Sequence, residues 1–593
     1  MNKRLIKTEW NLGLLYKNLQ DPQIEKDLQM IEHECHVFAQ KWKNVDFSDT
    51  VILLKSLQEY EKFEEKIAGA KPFTFYALSR EIDTSNQKLA GIITKIQERL
   101  TKAINETIFY TLKIGKLDKK IQKNILSDKQ FSKYRYMLDR LFLTAVHQLS
   151  EPEEKILILK RNPACELWID MTEKAIGELT VQWKGELLPI TKASGLIATL
   201  HKQSDRKKLH DLIYKKIETV KLIAEAEMNA VINNKKIDDT LRGFTVPYEA
   251  TLLDYQNTTT ELNALLDAVK KYETLTQKLF TLKKKLLKVE KLGAYDLGIQ
   301  LSAIHKKYSF DDAVHIVRSA FEKASPEYRE IFDSFLRNGQ IDVYPRKGKK
   351  GGGYCWGDYG RPTYILLNWN DTFDAVRTLA HEMGHAIHAE YSNKYQGVLY
   401  HDHPISTAEV ASTLFENFAR DELYATLSEK EQIFERYNYL QEAFMTIHRQ
   451  VNHFWFEQEI YKMIYDKGSV SADEISTVRA KYLKRYMGPS AEITQIDGLG
   501  WIQHSHMRRH FYVYSYAYGQ LISTAMYAKY KSDKNFVNQI NQFLSAGGSD
   551  TPANIFKKIG IDTTDPKFWE TGLQSLEKEL RQLEKDCKKV GLI

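Results

Sequence analysis

The run TLAHEMGHAIHAEY, residues 378–391, sets His381 and His385 four residues apart, Glu382 directly after the first, and His388 three residues further on. Buried imidazoles and carboxylates cost free energy unless each has a partner. On an α-helix turning 100° per residue, His381 and His385 lie about 40° apart and one turn along the axis, so both rings can reach one ion. Glu382 is offset by about 100°, outside that ligand shell but able to face a water beside it. Two imidazoles on a divalent ion, with a carboxylate that takes a proton from water, is the physical content of H-E-x-x-H and points to zinc. The competing reading is a pair of partly exposed helix histidines. Gly384 costs about 1 kcal/mol relative to alanine in a helix interior, which points to close packing beneath the site.

A catalytic zinc needs a third protein ligand and an open position. His388 lies on roughly the same face, but its Cα is displaced about 10 Å along the axis from that of His381, so three ligands on one straight helix converge only with strain. Glu409, in HPISTAEVASTLFENFARDEL, comes from a second helix whose start is marked by Pro404 and Ser406. It has a rival role, because Ser406 to Glu409 is also the spacing of a capping box. From the residues alone, ligand and cap are equal readings. Glu416, seven residues on, falls on the same face and can orient an imidazole.

These side chains need a helix to hold them. Asn370 or Asp371 can cap one beginning near Thr372, with Asp374 favourable in its first turn. Phe373, Val376, Leu379, Met383, Ile387 and Tyr391 follow in steps of three and four, one buried stripe. Upstream, GQIDVYPRKGKKGGGYCWGDYGRPTYILLNWND (339–371) clusters glycines and turn residues before a β-branched and aromatic run. It predicts a small sheet with a glycine-rich loop. Gly351, Gly352 and Gly353 do not form the phosphate-loop pattern; they suit a tight hairpin or a close approach to a bound peptide.

Elsewhere the chain is mostly α-helical in texture, with only 13 Pro and 29 Gly in 593 residues. Capping boxes at Ser150–Glu153 and Ser471–Glu474 predict helix starts. Hydrophobic residues make up 43% and charged residues 27%, which excludes a disordered chain. The net charge of +7 comes from 85 basic against 78 acidic residues mixed along the helices, so no nucleic-acid face is expected. Cys35, Cys165, Cys355 and Cys587 are far apart, which excludes a thiolate zinc site and suits a reducing compartment. No run approaches a membrane span, and the charged start lacks a secretory core, so the expectation is a cytoplasmic protein without a membrane partner.

TLAHEMGHAIH followed by AEVASTLFEN, with Glu409 28 residues after His381, resembles the oligoendopeptidase F branch of the thimet-type zinc oligopeptidases. WNLGLLYKNLQDPQIEKDL, LSEPEEKIL, LRGF, GKKGGGYCWG, HFYVYSYAYG and FLSAGGSDTPANIFKKIGID extend the resemblance along nearly the whole chain. It implies a mostly α-helical, two-lobed zincin with a small β-sheet beside the active site and a deep central channel admitting short unfolded peptides. It favours Glu409 as third ligand, with His388 the alternative, and one zinc per chain. It implies His506 and Tyr512 as hydrogen-bond donors to the oxyanion, with Tyr516 a second phenol. The departure is SHMR where the family usually has PHFY, and His504 and His510 are rival imidazoles. Domains are expected at 1–200, a helical wall of the channel, and 201–593, the catalytic domain. Gly352, Gly353 and Tyr364 are expected to contact substrate, the run from Tyr364 to Asn368 pairing with an extended peptide as an added strand. Two alternatives stay open. One is an exopeptidase whose Arg346, Lys349 or Lys350 clamps a terminal carboxylate; the other is a non-catalytic helical peptide-binding protein.

Overall fold

A computed structural model describes residues 6–299, 301 and 306–593, and it is mostly helical. The chain divides into two compact units, each assembled from three segments: residues 1–147, 305–426 and 529–560 form the first, and 148–304, 427–528 and 561–593 the second. This differs from a contiguous border near residue 200, because a unit is bounded by packing and the chain crosses between the two several times. Among the described residues no helix is long and apolar enough to cross a membrane.

The first unit holds the sheet foreseen in 339–371. Strands β3 (Ile341–Asp342), β4 (Tyr354–Trp356) and β5 (Tyr364–Leu366) lie in the order β3-β5-β4, β3 parallel and β4 antiparallel to β5. Trp10 locks onto the middle strand, its indole N–H donating to the Ile365 carbonyl at 2.8 Å. A hairpin of β1 (Thr180–Trp183) and β2 (Glu186–Pro189) belongs to the second unit.

The motif helix runs Phe373–Tyr395 and its companion Ile405–Tyr424. The cap is Thr372, whose hydroxyl accepts from the Ala375 N–H at 3.2 Å, one or two residues later than expected. Asp371 is taken up elsewhere, at φ 57° and accepting from the Trp369 indole. All six residues of the predicted stripe, Phe373 to Tyr391, are buried. Both capping boxes, Ser150–Glu153 and Ser471–Glu474, start helices as predicted.

Candidate active site

His381, His385 and Glu409 come together in the first unit, with one ligand atom from each within 4.8 Å of the others. Glu409 Oε2 lies 3.6 Å from His381 Nε2 and 3.8 Å from His385 Nε2. The rival capping role of Glu409 is not realised. The companion helix starts at Ile405 with Pro404 at its cap position and no side-chain cap bond. His388 is outside this group. It is buried, stacked on His403 with ring centroids 3.8 Å apart, and packs against Phe543.

Gly384 sets the approach of the two helices. A Cβ there would lie 2.7 Å from the Ser412 Cα, so only glycine lets the companion helix, and Glu409 with it, come this near. His381 is steered from behind: Glu416 Oε2 sits 3.4 Å from its Nδ1, while the other carboxylate oxygen accepts from Arg377 at 2.6 and 2.8 Å. Arg377 was not singled out from the sequence, although its place four residues before His381 puts it on the same helix face.

The electrostatics follow from this packing. Burial raises the Glu416 carboxyl, but Arg377 and His381 outweigh it and hold it down at about 2. Burial lowers His381, yet Glu416, Glu382 and Glu409 leave it raised overall. Burial, with His381 and His403 adding to it, drops His385 to about 3, so this ring is a neutral donor. Burial pushes Glu382 up to about 7, His381 opposing and Glu409 adding. Neutral imidazole plus carboxylate, oriented from behind by Glu416, is a donor set that fits a zinc ion.

The cavity over these groups, about 430 Å3, is lined by Gly353, Tyr354, Cys355, His381, Glu382, His385 and Glu409, with Asp402 and His403 at its side. Gly353 is pressed onto the motif helix: a Cβ there would meet Thr378 Cγ2 at 3.1 Å and Glu382 Oε1 at 3.5 Å. Gly352 has φ +84°, and the loop is held by the Asn368 amide donating to the Lys350 and Gly352 carbonyls. Tyr364 is a correction. β5 is the middle strand, paired on both edges, and Tyr364 is fully buried with its hydroxyl donating to the Asn11 carbonyl. The outer strands are β3 and β4, and of the two it is β4, through Tyr354 and Cys355, that lines the cavity over the imidazoles. The cations considered for a carboxylate clamp are engaged: Arg346 and Lys349 with Asp342, Lys350 with Glu81.

In the second unit, His506 Nδ1 is 2.5 Å from the Tyr512 hydroxyl, which lies 3.4 Å from that of Tyr516. The rival imidazoles are committed elsewhere: His504 Nε2 accepts from Arg479 at 3.3 Å, and His510 Nδ1 is bonded to the Tyr461 hydroxyl. Tyr514 belongs to the core, donating to Asn257 at 2.8 Å. Consecutive positive φ values at His510 (40°) and Phe511 (61°) turn Tyr512 back to His506. This strained turn is pinned by buried Glu457, which accepts from the Phe511 N–H at 2.8 Å, and by Thr251 donating to the His510 carbonyl.

Comparison with known proteins bears on the family and fold of the chain. Oligopeptidase PepF of Bacillus subtilis is 26% identical over 560 residues, covering 93% of this chain and 83% of the relative. An oligoendopeptidase F homolog of Lactococcus lactis is 25% identical, covering 98% and 97%. A crystal structure from Chlamydophila abortus has a TM-score of 0.86 at 24% identity, covering 98% of both chains. Oligoendopeptidase-F from Enterococcus faecium has a TM-score of 0.68 at 19% identity, covering 96% and 99%, and these two likenesses concern the fold. Residues 113–180 match the family model Oligopeptidase F. Residues 196–575, more than half of the chain, match that of peptidase family M3, and the chain therefore belongs to this family.

Proposed function

We propose that the protein is a zinc-dependent oligoendopeptidase that hydrolyses internal bonds of short, unfolded peptides. One observation carries the reading. Two imidazoles and a carboxylate converge within 4.8 Å in a cavity where Glu382 is buried among them, beneath the outer edge of a strand. His381, His385 and Glu409 would hold the ion. Zinc, when bound, supplies a Lewis acid that acidifies water and polarises a peptide carbonyl.

The other steps fall to the chain's own residues. Glu382, buried beside the cavity, accepts the proton of the attacking water and hands it to the leaving amine. Glu416, anchored by Arg377, fixes the orientation of the His381 ring. The β4 edge and the Gly352–Gly353 loop hold the peptide backbone by main-chain hydrogen bonds, which selects an extended chain and not a sequence. His506 and Tyr512 donate to the oxyanion once the bond between them opens, because a neutral imidazole and a phenol carry one donor proton each and one of the two is spent while they are paired; Tyr516 stands beside the Tyr512 hydroxyl. Four free cysteines suit a reducing compartment, and we place the enzyme in the cytoplasm.

The test is digestion of a mixed peptide library, with products read by mass spectrometry, before and after chelation and with zinc restored. Internal cleavage lost on chelation and regained with zinc is expected. Release of terminal residues or dipeptides alone, or cleavage that survives chelation, refutes the proposal.

A further inference from the structure

A second cavity of about 410 Å3 lies wholly within the second unit, and the proposed chemistry makes no use of it. Two guanidinium groups open onto it, those of Arg449 and Arg479. Among the described residues neither is paired with a carboxylate. Arg479 is buried; among the described residues its hydrogen bond runs to His504 Nε2 at 3.3 Å, and its guanidinium carbon lies 5.5 Å from the centre of the Phe456 ring. Arg449 closes a five-residue π-helical turn, Met445–Arg449, between two α-helices, an irregularity that recurs at functional sites.

The one carboxylate in the wall is already spoken for. Asp497 Oδ2 accepts from the Thr494 N–H and hydroxyl at 2.7 and 2.8 Å, and its Oδ1 lies 3.2 Å from His210 Nε2. Two like charges therefore share a largely buried space with no counter-charge of their own, an arrangement that costs free energy until an anion joins them. Burial and the charge of Arg449 lower Arg479 to about 10, as such crowding requires. The remaining wall is mixed: Tyr214 and Gln503 offer polar atoms, while Ile197, Ile213 and Leu483 are apolar. Such a space suits an anionic head on a small apolar body, more than a bare ion.

We infer that this cavity is a separate oxyanion-binding site, in which Arg449 and Arg479 clamp the carboxylate of a short peptide or acylated amino acid whose apolar body rests on Ile197, Ile213 and Leu483. Planar, forked donors match a carboxylate in a way lysine would not. The site neighbours the His506–Tyr512 pair through His504, whose ring centroid is 6.1 Å from that of His506.

The experiment is calorimetric titration of the full-length, chelated protein, where no turnover occurs, with N-acetyl-leucine, N-acetyl-leucinamide and inorganic phosphate. N-acetyl-leucine should bind one to one, with the amide weaker by about tenfold or more because it lacks the charge. Arg449→Gln, checked for folding by its thermal melt, should weaken the acid by a similar factor and leave the amide unchanged; Arg479→Lys should do likewise. Should Arg479→Lys fail to fold, the half-buried Arg449 decides alone. Equal binding of acid and amide, wild-type binding by Arg449→Gln, or no heat with any ligand overturns the inference. Phosphate binding as tightly as N-acetyl-leucine overturns the peptide source and assigns the cavity to a free anion. Because the zinc site is empty and idle in this titration, failure here leaves the peptidase proposal standing, and the reverse.

Discussion

Gly384→Ala should loosen the metal site without unfolding the protein. A methyl group at this position would stand 2.7 Å from Ser412 Cα, 3.0 Å from Phe415 Cβ and 3.1 Å from the Ala411 carbonyl oxygen. Carbons in contact sit about 3.7 Å apart, so the companion helix must withdraw by roughly 1 Å (3.7 less 2.7) or bend. None of the three atoms is the end of a flexible side chain, so local rotation cannot absorb the clash. Glu409 lies one turn before Ser412 and would move with it, away from imidazoles now 3.6 and 3.8 Å from its carboxylate. Metal sites hold their ligand distances to about 0.2 Å, so a displacement of this size is large. Overpacking costs about 1–3 kcal/mol, and alanine's better helix propensity offsets about 1 of that, leaving a net loss of roughly 0–2 kcal/mol. Zinc affinity should fall by about 10–100-fold. Competition of the apo variant against a chromophoric chelator measures the affinity, and thermal melts report the stability. Wild-type affinity in a folded Gly384→Ala protein would refute the claim that this helix approach positions Glu409.

Glu382→Gln keeps shape and burial but cannot take a proton; bound zinc should stay near wild type by elemental analysis while peptide cleavage is nearly abolished. Tyr512→Phe removes one proposed oxyanion donor and should lower kcat by about 10²–10³-fold with little change in KM; a loss confined to KM would assign Tyr512 to binding. Glu416→Gln removes the charge behind His381 and should weaken zinc by about 10–100-fold in the same chelator competition, and unchanged affinity would deny it the orienting role. Glu457 is pushed up to about 8, chiefly by burial, with the Phe511 N–H and Lys235 opposing. Between its ordinary value near 4.5 and about 8 the folded state binds the extra proton, so its stabilisation is present below that window and is lost as pH rises through it. Glu457→Gln keeps an acceptor for Phe511 and should flatten the decline in melting temperature from pH 5 to pH 9; an unchanged slope contradicts this.

What was legible in the chain was what local rules control. The apolar period of Phe373 to Tyr391 and the caps at Ser150 and Ser471 depend on neighbours within a turn or two, and each element appears as read. The spacing of His381 and His385 is likewise a property of one helix. From the residues alone Glu409 was undecided because a capping box and a ligand share the same local pattern; the helix start at Ile405, one residue before Ser406, leaves the box unformed. Tyr364 was misjudged because a β-branched and aromatic run looks alike on a middle and an outer strand, and strand order is not a local property. Two lobes were expected, but their bounds were not legible for the same reason, since each unit draws on three distant segments.

The motif helix is confined by glycine on two sides, and the two contacts act on different parts of the chemistry. Gly384 beneath it admits the companion helix, so it governs where the proposed ligand Glu409 can stand. Gly353 above it, where an added Cβ would stand within van der Waals reach of Glu382, precedes β4, an outer strand, so it governs how near a peptide backbone and the proposed base can come. A methyl at residue 353 meets Thr378 Cγ2 at 3.1 Å, tight but against a side chain that can turn, and it stands beside Glu382 Oε1 at 3.5 Å. Gly353→Ala should therefore leave zinc affinity intact and lower cleavage, with the loss mainly in KM if the strand edge is what holds the substrate. Gly384→Ala should do the opposite, losing zinc first. If instead both variants lost zinc in parallel, the loop and the companion helix would be coupled through the motif helix. Ligand geometry and substrate approach would then not be separable features of the fold.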